Sequence, residues 1–121
     1  LFKQQDISIG SILKAHKILM LHTPLQPDQK GYLRTVGVTV GGRLCPAPML
    51  VKPMLEDWLL NEWVAADSVT SHVAFERIHP FVDGNGRVGR MLMFWKQLKY
   101  EHGLHDVPSD EDRPAYYAWF K

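Results

Sequence analysis

The stretch His79-Pro80-Phe81-Val82-Asp83-Gly84-Asn85-Gly86-Arg87-Val88-Gly89-Arg90 decides how this chain is read. Its first residues end one helix and its last ones begin another. Upstream, Val69, His72, Phe75 and Ile78-His79 recur at helical steps, which predicts a helix from about Asp67-Ser68 to Ile78. Pro80 stops it, because the residue before a proline avoids helical geometry. Phe81 to Gly84 makes a tight loop. Downstream, Met91, Leu92, Phe94, Trp95 and Leu98 share one apolar face, so a second helix starts near Asn85-Gly86. It runs to about Glu101, with Gly103 as its stop.

The loop between these helices carries chemistry. A helix N-terminus presents unpaired backbone N–H groups and a positive dipole end, and so attracts anions. Gly84 and Gly86 remove side chains where backbone must approach a ligand. Asn85 can sit at the cap or offer its amide to a phosphate. Arg87 and Arg90, one turn apart, can face a single anion, and two guanidinium forks suit phosphate oxygens. Asp83 is a poor neighbour for bare phosphate, but it fits if Mg²⁺ bridges carboxylate and phosphate. His79, at the mouth of the loop, has an ordinary pKa suited to a general base at neutral pH. Taken singly, Asp-Gly-Asn-Gly is a turn, His-Pro a helix end and an arginine pair a solvated face. Their joint occurrence at this spacing favours displacement at phosphorus, where positioning and charge neutralisation do most of the work.

Toward the N-terminus, Ile9, Ile12, Leu13, His16, Leu19 and Met20 fall on one face of a helix from about Ser8 to Leu21, capped by Asp6 or Ser8. His22 and Pro24 mark its end, and Pro27 to Gly31 reads as a loop. Tyr32 to Val40 is rich in β-branched residues and is followed by Gly41-Gly42. This predicts a short hairpin returning through Arg43-Leu44. Pro46, Pro48 and Pro53 argue against a longer sheet. Val51, Met54, Leu55, Trp58, Leu59 and Glu62 restore helical spacing, with Pro53 expected in a first turn. Asp110 to Lys121 resembles the start of another helix. The expected fold is all-α, interrupted by one hairpin.

The bulk properties are those of one ordinary domain. Hydrophobic residues make up 45% and charged residues 22% of the 121 positions. A formal charge of +1 gives no support for binding nucleic acid or membranes through bulk charge. No apolar run approaches the roughly 20 residues of a membrane-spanning helix. The single cysteine, Cys45, excludes an internal disulfide and reads as a small half-buried side chain. This fits the cytoplasm, and secretion into a host cell is compatible as well. His16, His22, His102 and His105 show no zinc spacing with one another. His72 reads as a core histidine, and Trp58 and Trp63 as core or interface rather than a nucleobase platform.

The stretch from His79 to Arg90 resembles the signature of the Fic family, His-Pro-Phe-x-Asp/Glu-Gly-Asn-Gly-Arg-x-x-Arg, at every fixed position. The resemblance extends to Gly31-Tyr32-Leu33-Arg34, to Val38-Thr39-Val40-Gly41-Gly42 with Pro46-Ala47-Pro48, to Ser71-His72, and to Arg113 through Tyr117. It implies a Fic-fold helical bundle with a β-hairpin flap, filling residues 1–121 as a single domain cut from a longer chain. It implies a protein adenylyltransferase that moves AMP from ATP to a Ser, Thr or Tyr hydroxyl of a target protein. By this resemblance His79 is the general base and Asp83 the Mg²⁺ ligand. Gly84, Asn85 and Gly86 hold phosphates, while Arg87 and Arg90 neutralise them. Tyr117 is assigned to the nucleotide, with Tyr116 as the alternative. Val38 to Gly42 would dock the target by strand addition. The alternatives are transfer of UMP, phosphocholine or phosphate, or an ATP-binding module without turnover. Kinase-like relatives carry lysine in place of the second glycine, and Gly86 keeps the typical form. Many relatives are repressed by a Ser/Thr-x-x-x-Glu-Gly/Asn helix. These residues contain no such pattern, so that Glu is expected from elsewhere in a longer chain or from a small antitoxin partner. Oligomers are compatible with all of this.

Overall fold

The computed structural model describes residues 7–101. The anticipated helix over 110–121, the Gly103 stop, Arg113, Tyr116 and Tyr117 lie outside them, as do Asp6, His102 and His105. Four α-helices and one small hairpin follow in chain order: α1 (Ile9–Leu19), β1 (Thr39–Val40), β2 (Arg43–Leu44), α2 (Pro48–Asp57), α3 (Ser68–Ile78) and α4 (Asn85–Tyr100).

Ser8, rather than Asp6, caps α1. Its Oγ accepts from the Ser11 N–H at 3.2 Å while the Ser11 Oγ accepts from the Ser8 N–H at 2.7 Å, a reciprocal capping box. Asp67 caps α3 by accepting from the Thr70 N–H at 2.7 Å. The apolar stripes then converge. Ile12 from α1, Val51 and Leu55 from α2, Phe75 and Ile78 from α3, and Val88 and Leu92 from α4 bury together with Phe81 of the loop. The most extensive helix pairing is α3 against α4, with α1 on α4 and α2 on α3. This pairing holds the loop between α3 and α4 at one end of the bundle.

Three local expectations change. The predicted strand over Tyr32 to Val40 reduces to two paired residues, Thr39 opposite Leu44 and Val40 opposite Arg43, with the Cys45 N–H adding a bond to the Val38 carbonyl at 3.0 Å. Upstream backbone is used elsewhere: the Arg34 N–H donates to the Pro80 carbonyl at 2.9 Å, and the Arg34 side chain takes the Val36 carbonyl at 2.9 Å. Second, the first turn of α2 belongs to Pro48, so Pro53 sits inside the helix, where it removes one backbone donor. Third, α2 runs on as a π-helical turn, Trp58–Trp63. The i→i+5 turn places Trp58 and Trp63 on the same inner face, 2% and 3% exposed and 5.7 Å apart. Lys96 from α4 holds the end of this turn. Its ammonium is buried and donates to the carbonyls of Trp63 and Ala66 and to the Ser71 hydroxyl.

Candidate active site

The loop from His79 to Gly84 is held by hydrogen bonds that come from every side. His79 caps α3 with φ 52 and ψ 63, the left-handed region, which a non-glycine residue adopts only when its surroundings require it. Pro80 therefore ends α3 as expected, but through a left-handed rather than an extended His79. Arg34 supplies the requirement. Its side chain is buried, and Nε donates to the His79 carbonyl at 2.6 Å. Nη2 donates to the carbonyls of Pro46 at 2.7 Å and Ile78 at 3.3 Å.

Asn85 locks the loop from the other end. Its Oδ1 accepts from the Phe81 N–H and its Nδ2 donates to the Phe81 carbonyl, both at 2.8 Å. The side chain is 3% exposed, so the amide is committed to the loop and is not turned toward a ligand. The α4 cap is Gly84, not Asn85. His16 from α1 closes the third side. Its Nδ1 accepts from the Gly31 N–H at 2.9 Å, which makes Nε2 the protonated nitrogen, donating to the Asp83 carbonyl at 2.8 Å. The ring stacks on Phe81 at 3.8 Å, tilted by only 4°. Burial lowers the His16 pKa, with the Asp83 contacts opposing, and this favours the neutral ring the two bonds need.

The start of α4 is open. Val88 makes the first bond of this helix, to the Gly84 carbonyl at 3.1 Å, so the N–H groups of Asn85, Gly86 and Arg87 have no carbonyl within it. Gly84 adopts φ 84, and a Cβ there would lie 2.6 Å from the Met20 sulfur. Conformation and packing both demand glycine at this position. Gly86 serves another need. A Cβ there would come within 3.1 Å of Nη1 of Arg90, so the absent side chain leaves room for that guanidinium over the helix start. Arg87 lies exposed on the other flank, with Nη1 3.5 Å from the Leu19 carbonyl at the end of α1.

His79 and Asp83 border this opening. Burial lowers the His79 pKa below its ordinary value and the Arg34 charge adds to this, while a backbone hydrogen bond to Glu76 and the Asp83 charge oppose it. The imidazole is thus neutral at neutral pH. Asp83 is exposed, and its Oδ1 accepts from the Gly84 N–H at 2.8 Å. Among the described residues no cluster of His, Cys, Asp or Glu could by itself hold a metal ion. One exposed carboxylate beside an open helix start fits Mg²⁺ only when phosphate and water complete its shell.

Beneath the loop, the α3–α4 seam holds two ionisable groups that are both uncharged at neutral pH. His72 Nε2 lies 3.9 Å from Glu76 Oε2. Burial pushes His72 down to about 4 and Glu76 up to about 8. Gly89 makes room for them: a Cβ there would overlap the Glu76 carboxyl and sit 3.2 Å from the His72 ring.

The structure therefore brings His79, Asp83, Gly84, Asn85, Gly86, Arg87 and Arg90 together around one helix start. Of the flap residues Val38 to Gly42, Thr39, Val40, Gly41 and Gly42 are exposed and Val38 is partly buried. His16 and Arg34 are what sequence reasoning missed. The signal for His16 was a histidine within the apolar stripe of α1. For Arg34 there was none beyond its place in the resembling segment.

A family model described as the Fic/DOC family matches residues 6–96. The chain belongs to the Fic/DOC family. It is 30% identical, over its whole length, to a protein named protein adenylyltransferase Fic from Drosophila willistoni, of which it covers 25%. It is 42% identical, over 64% of its length, to a probable protein adenylyltransferase from Aquifex aeolicus (strain VF5), covering 26% of that protein. A crystal structure of a Fic family protein from Desulfovibrio desulfuricans G20 superposes with a TM-score of 0.60 at 30% identity, covering 78% of this chain and 34% of that one. This Fic domain thus spans about a quarter of the length of the curated relatives it matches. The mainly helical bundle with a two-stranded flap is the Fic fold, as the sequence resemblance implied. No helix among the described residues is long and apolar enough to cross a membrane.

Proposed function

We propose that this Fic domain transfers AMP from ATP to a hydroxyl group of a target protein. The observation that carries the reading is the open start of α4, flanked by two arginines, with a neutral histidine at its rim. Phosphate oxygens would accept from the open N–H groups of Asn85 and Gly86, and from that of Gly84 once Asp83 turns from it to the metal, with the glycines allowing close approach. Arg87 and Arg90 would swing from their resting contacts onto the phosphates. Asp83 would be the one protein ligand of Mg²⁺, which when bound supplies charge neutralisation to the phosphate chain. The hydroxyl oxygen of the target attacks the α-phosphorus as His79 takes its proton. The bond from α-phosphorus to the bridging oxygen breaks, and pyrophosphate leaves. The flap residues Val38 to Gly42, exposed from Thr39 onward, would align an extended target segment by strand addition, and Tyr117 would meet the nucleotide. The adenylyltransferase names of the relatives support AMP over UMP, phosphocholine or phosphate. The space over Gly86 supports the same choice, since a lysine there would displace Arg90.

The test is intact mass spectrometry after incubation with ATP, Mg²⁺ and lysate proteins. An AMP-sized increment on the domain or a lysate protein is expected, and none with His79→Ala. That variant should lose at least about 100-fold in rate, the usual worth of a positioned base, while still binding ATP. Full transfer by His79→Ala would sink the base assignment. A phosphate-sized increment would select the kinase-like reading, and ATP binding without any increment would select the binding module.

A further inference from the structure

One buried guanidinium joins the flap to the histidine. Arg34 is 3% exposed, and every side-chain hydrogen bond it makes goes to a carbonyl. Those carbonyls fall into two groups. Val36 and Pro46 are the two legs of the flap, one before β1 and one after β2, accepting at 2.9 and 2.7 Å. Ile78 and His79 form the end of α3, accepting at 3.3 and 2.6 Å. The Arg34 main chain adds a third tie, through its N–H to the Pro80 carbonyl at 2.9 Å. A planar fork with fixed donor directions cannot shift toward one group without loosening its bonds to the other.

His79 is the residue on which such a shift would act. Its left-handed backbone is held against local preference, so its geometry depends on the contacts around it. The flap is lightly anchored by comparison: its strands are two residues long, and Thr39, Val40, Arg43 and Leu44 are all exposed. An added strand would therefore reposition the legs of the flap before it disturbed the core.

We infer that Arg34 is a positioning residue that couples occupancy of the flap to the placement of the His79 imidazole, so that docking of an extended target segment sets the base. This rests on the adenylyl-transfer reading for the identity of the target, but the coupling itself is a property of the chain without any substrate. Arg34→Lys is the informative variant. It keeps the charge and the stem but replaces the fork with a single nitrogen that cannot span both pairs of carbonyls.

The experiment is NMR of the chain with ¹³C-labelled histidine rings, with His79 assigned by His79→Ala. Val40→Pro perturbs the flap at an exposed site. It is expected to shift the His79 ring signal in the Arg34 protein and to leave it in place when combined with Arg34→Lys, a non-additive pair. In parallel, Arg34→Lys should lower kcat for a target protein by about 100-fold, the cost of a misplaced catalytic group, with KM for ATP unchanged. Equal shifts from Val40→Pro in both backgrounds, or a wild-type His79 signal and kcat in Arg34→Lys, would overturn the coupling. If Arg34→Lys does not fold, Val40→Pro alone decides: an unmoved His79 signal overturns the proposal. The NMR arm reads out even where no AMP is transferred, so its failure is distinct from failure of the proposed activity.

Discussion

The loop from His79 to Asn85 and the flap from Val38 to Cys45 are both short connections, yet they are built in opposite ways. The loop is fastened by Arg34 and His16 from distant parts of the chain and by its own Asn85, so that the carbonyls of His79, Phe81 and Asp83 and the N–H of Phe81 meet buried partners. The flap closes on itself through the β1–β2 pair and one bond from Cys45, and it leaves Val40 and Leu44 46% and 75% exposed. The difference suits the two proposed tasks. A base and a phosphate cradle would have to keep their geometry within a fraction of an ångström, whereas a docking edge would have to accept segments of varied sequence.

The largest way to break the contrast is Asn85→Ala. It leaves the buried N–H and carbonyl of Phe81 without partners and should cost about 3 kcal/mol, from the penalty of unsatisfied buried groups. Denaturant unfolding would read this as a fall in midpoint, and an unchanged midpoint would show that water replaces the amide. Next comes Gly84→Ala. A left-handed Cβ pressed on the Met20 sulfur should cost about 2 kcal/mol, since the conformation alone costs roughly 1–2. The same unfolding measurement checks it.

A smaller effect sharpens the picture beneath the loop. Glu76 holds its proton up to about pH 8 in the fold but releases it near 4.5 when unfolded. The folded state therefore binds more protons across that window, so Glu76 makes stability fall as pH rises toward 8. His72, lowered to about 4, does the reverse: stability falls as pH drops from 6.5 toward 4. Of these two, only Glu76 acts between pH 6.5 and 8. Glu76→Gln should remove a slope of up to about 1.4 kcal/mol per pH unit there. Unfolding midpoints at pH 6.5 and 8 would test this, and an unaltered slope would place the effect on another group. The smallest effect belongs to the flap. Leu44→Ser should change stability by under about 0.5 kcal/mol, as for other exposed sites. Calorimetric melting would check it, and a large loss would mean that the flap is part of the core after all.

Much of the fold was legible because it rests on local rules. The stripes of α1, α3 and α4, the cap offered by Ser8 beside Asp6, the start of α3 near Asp67-Ser68 and the break at Pro80 follow from spacing and from the chemistry of one or two residues. The candidate site was legible for a related reason. Its chemical groups sit within one contiguous segment, His79 to Arg90, so a helix end and a helix start carry them together wherever the helices pack. The departures came where the chain uses distant partners. Tyr32 to Val38 has strand composition, but Arg34 turns its backbone toward Pro80 instead of a second strand. The π-helical turn at Trp58–Trp63 answers to the burial of two large rings and to Lys96 reaching across from α4, none of which propensity encodes.

The sequence by itself determined where helices start and stop, that a histidine, a carboxylate and two arginines flank one helix N-terminus, and which family this is. Only the tertiary structure decided what holds them. Asn85 turned out to brace the loop, and His16 and Arg34 became its outer supports. Hydrogen bonds between residues 45 or 67 positions apart, such as Arg34 to His79 and His16 to Asp83, exist only once packing has brought the helices together. No local pattern can record a partner that the fold itself must deliver.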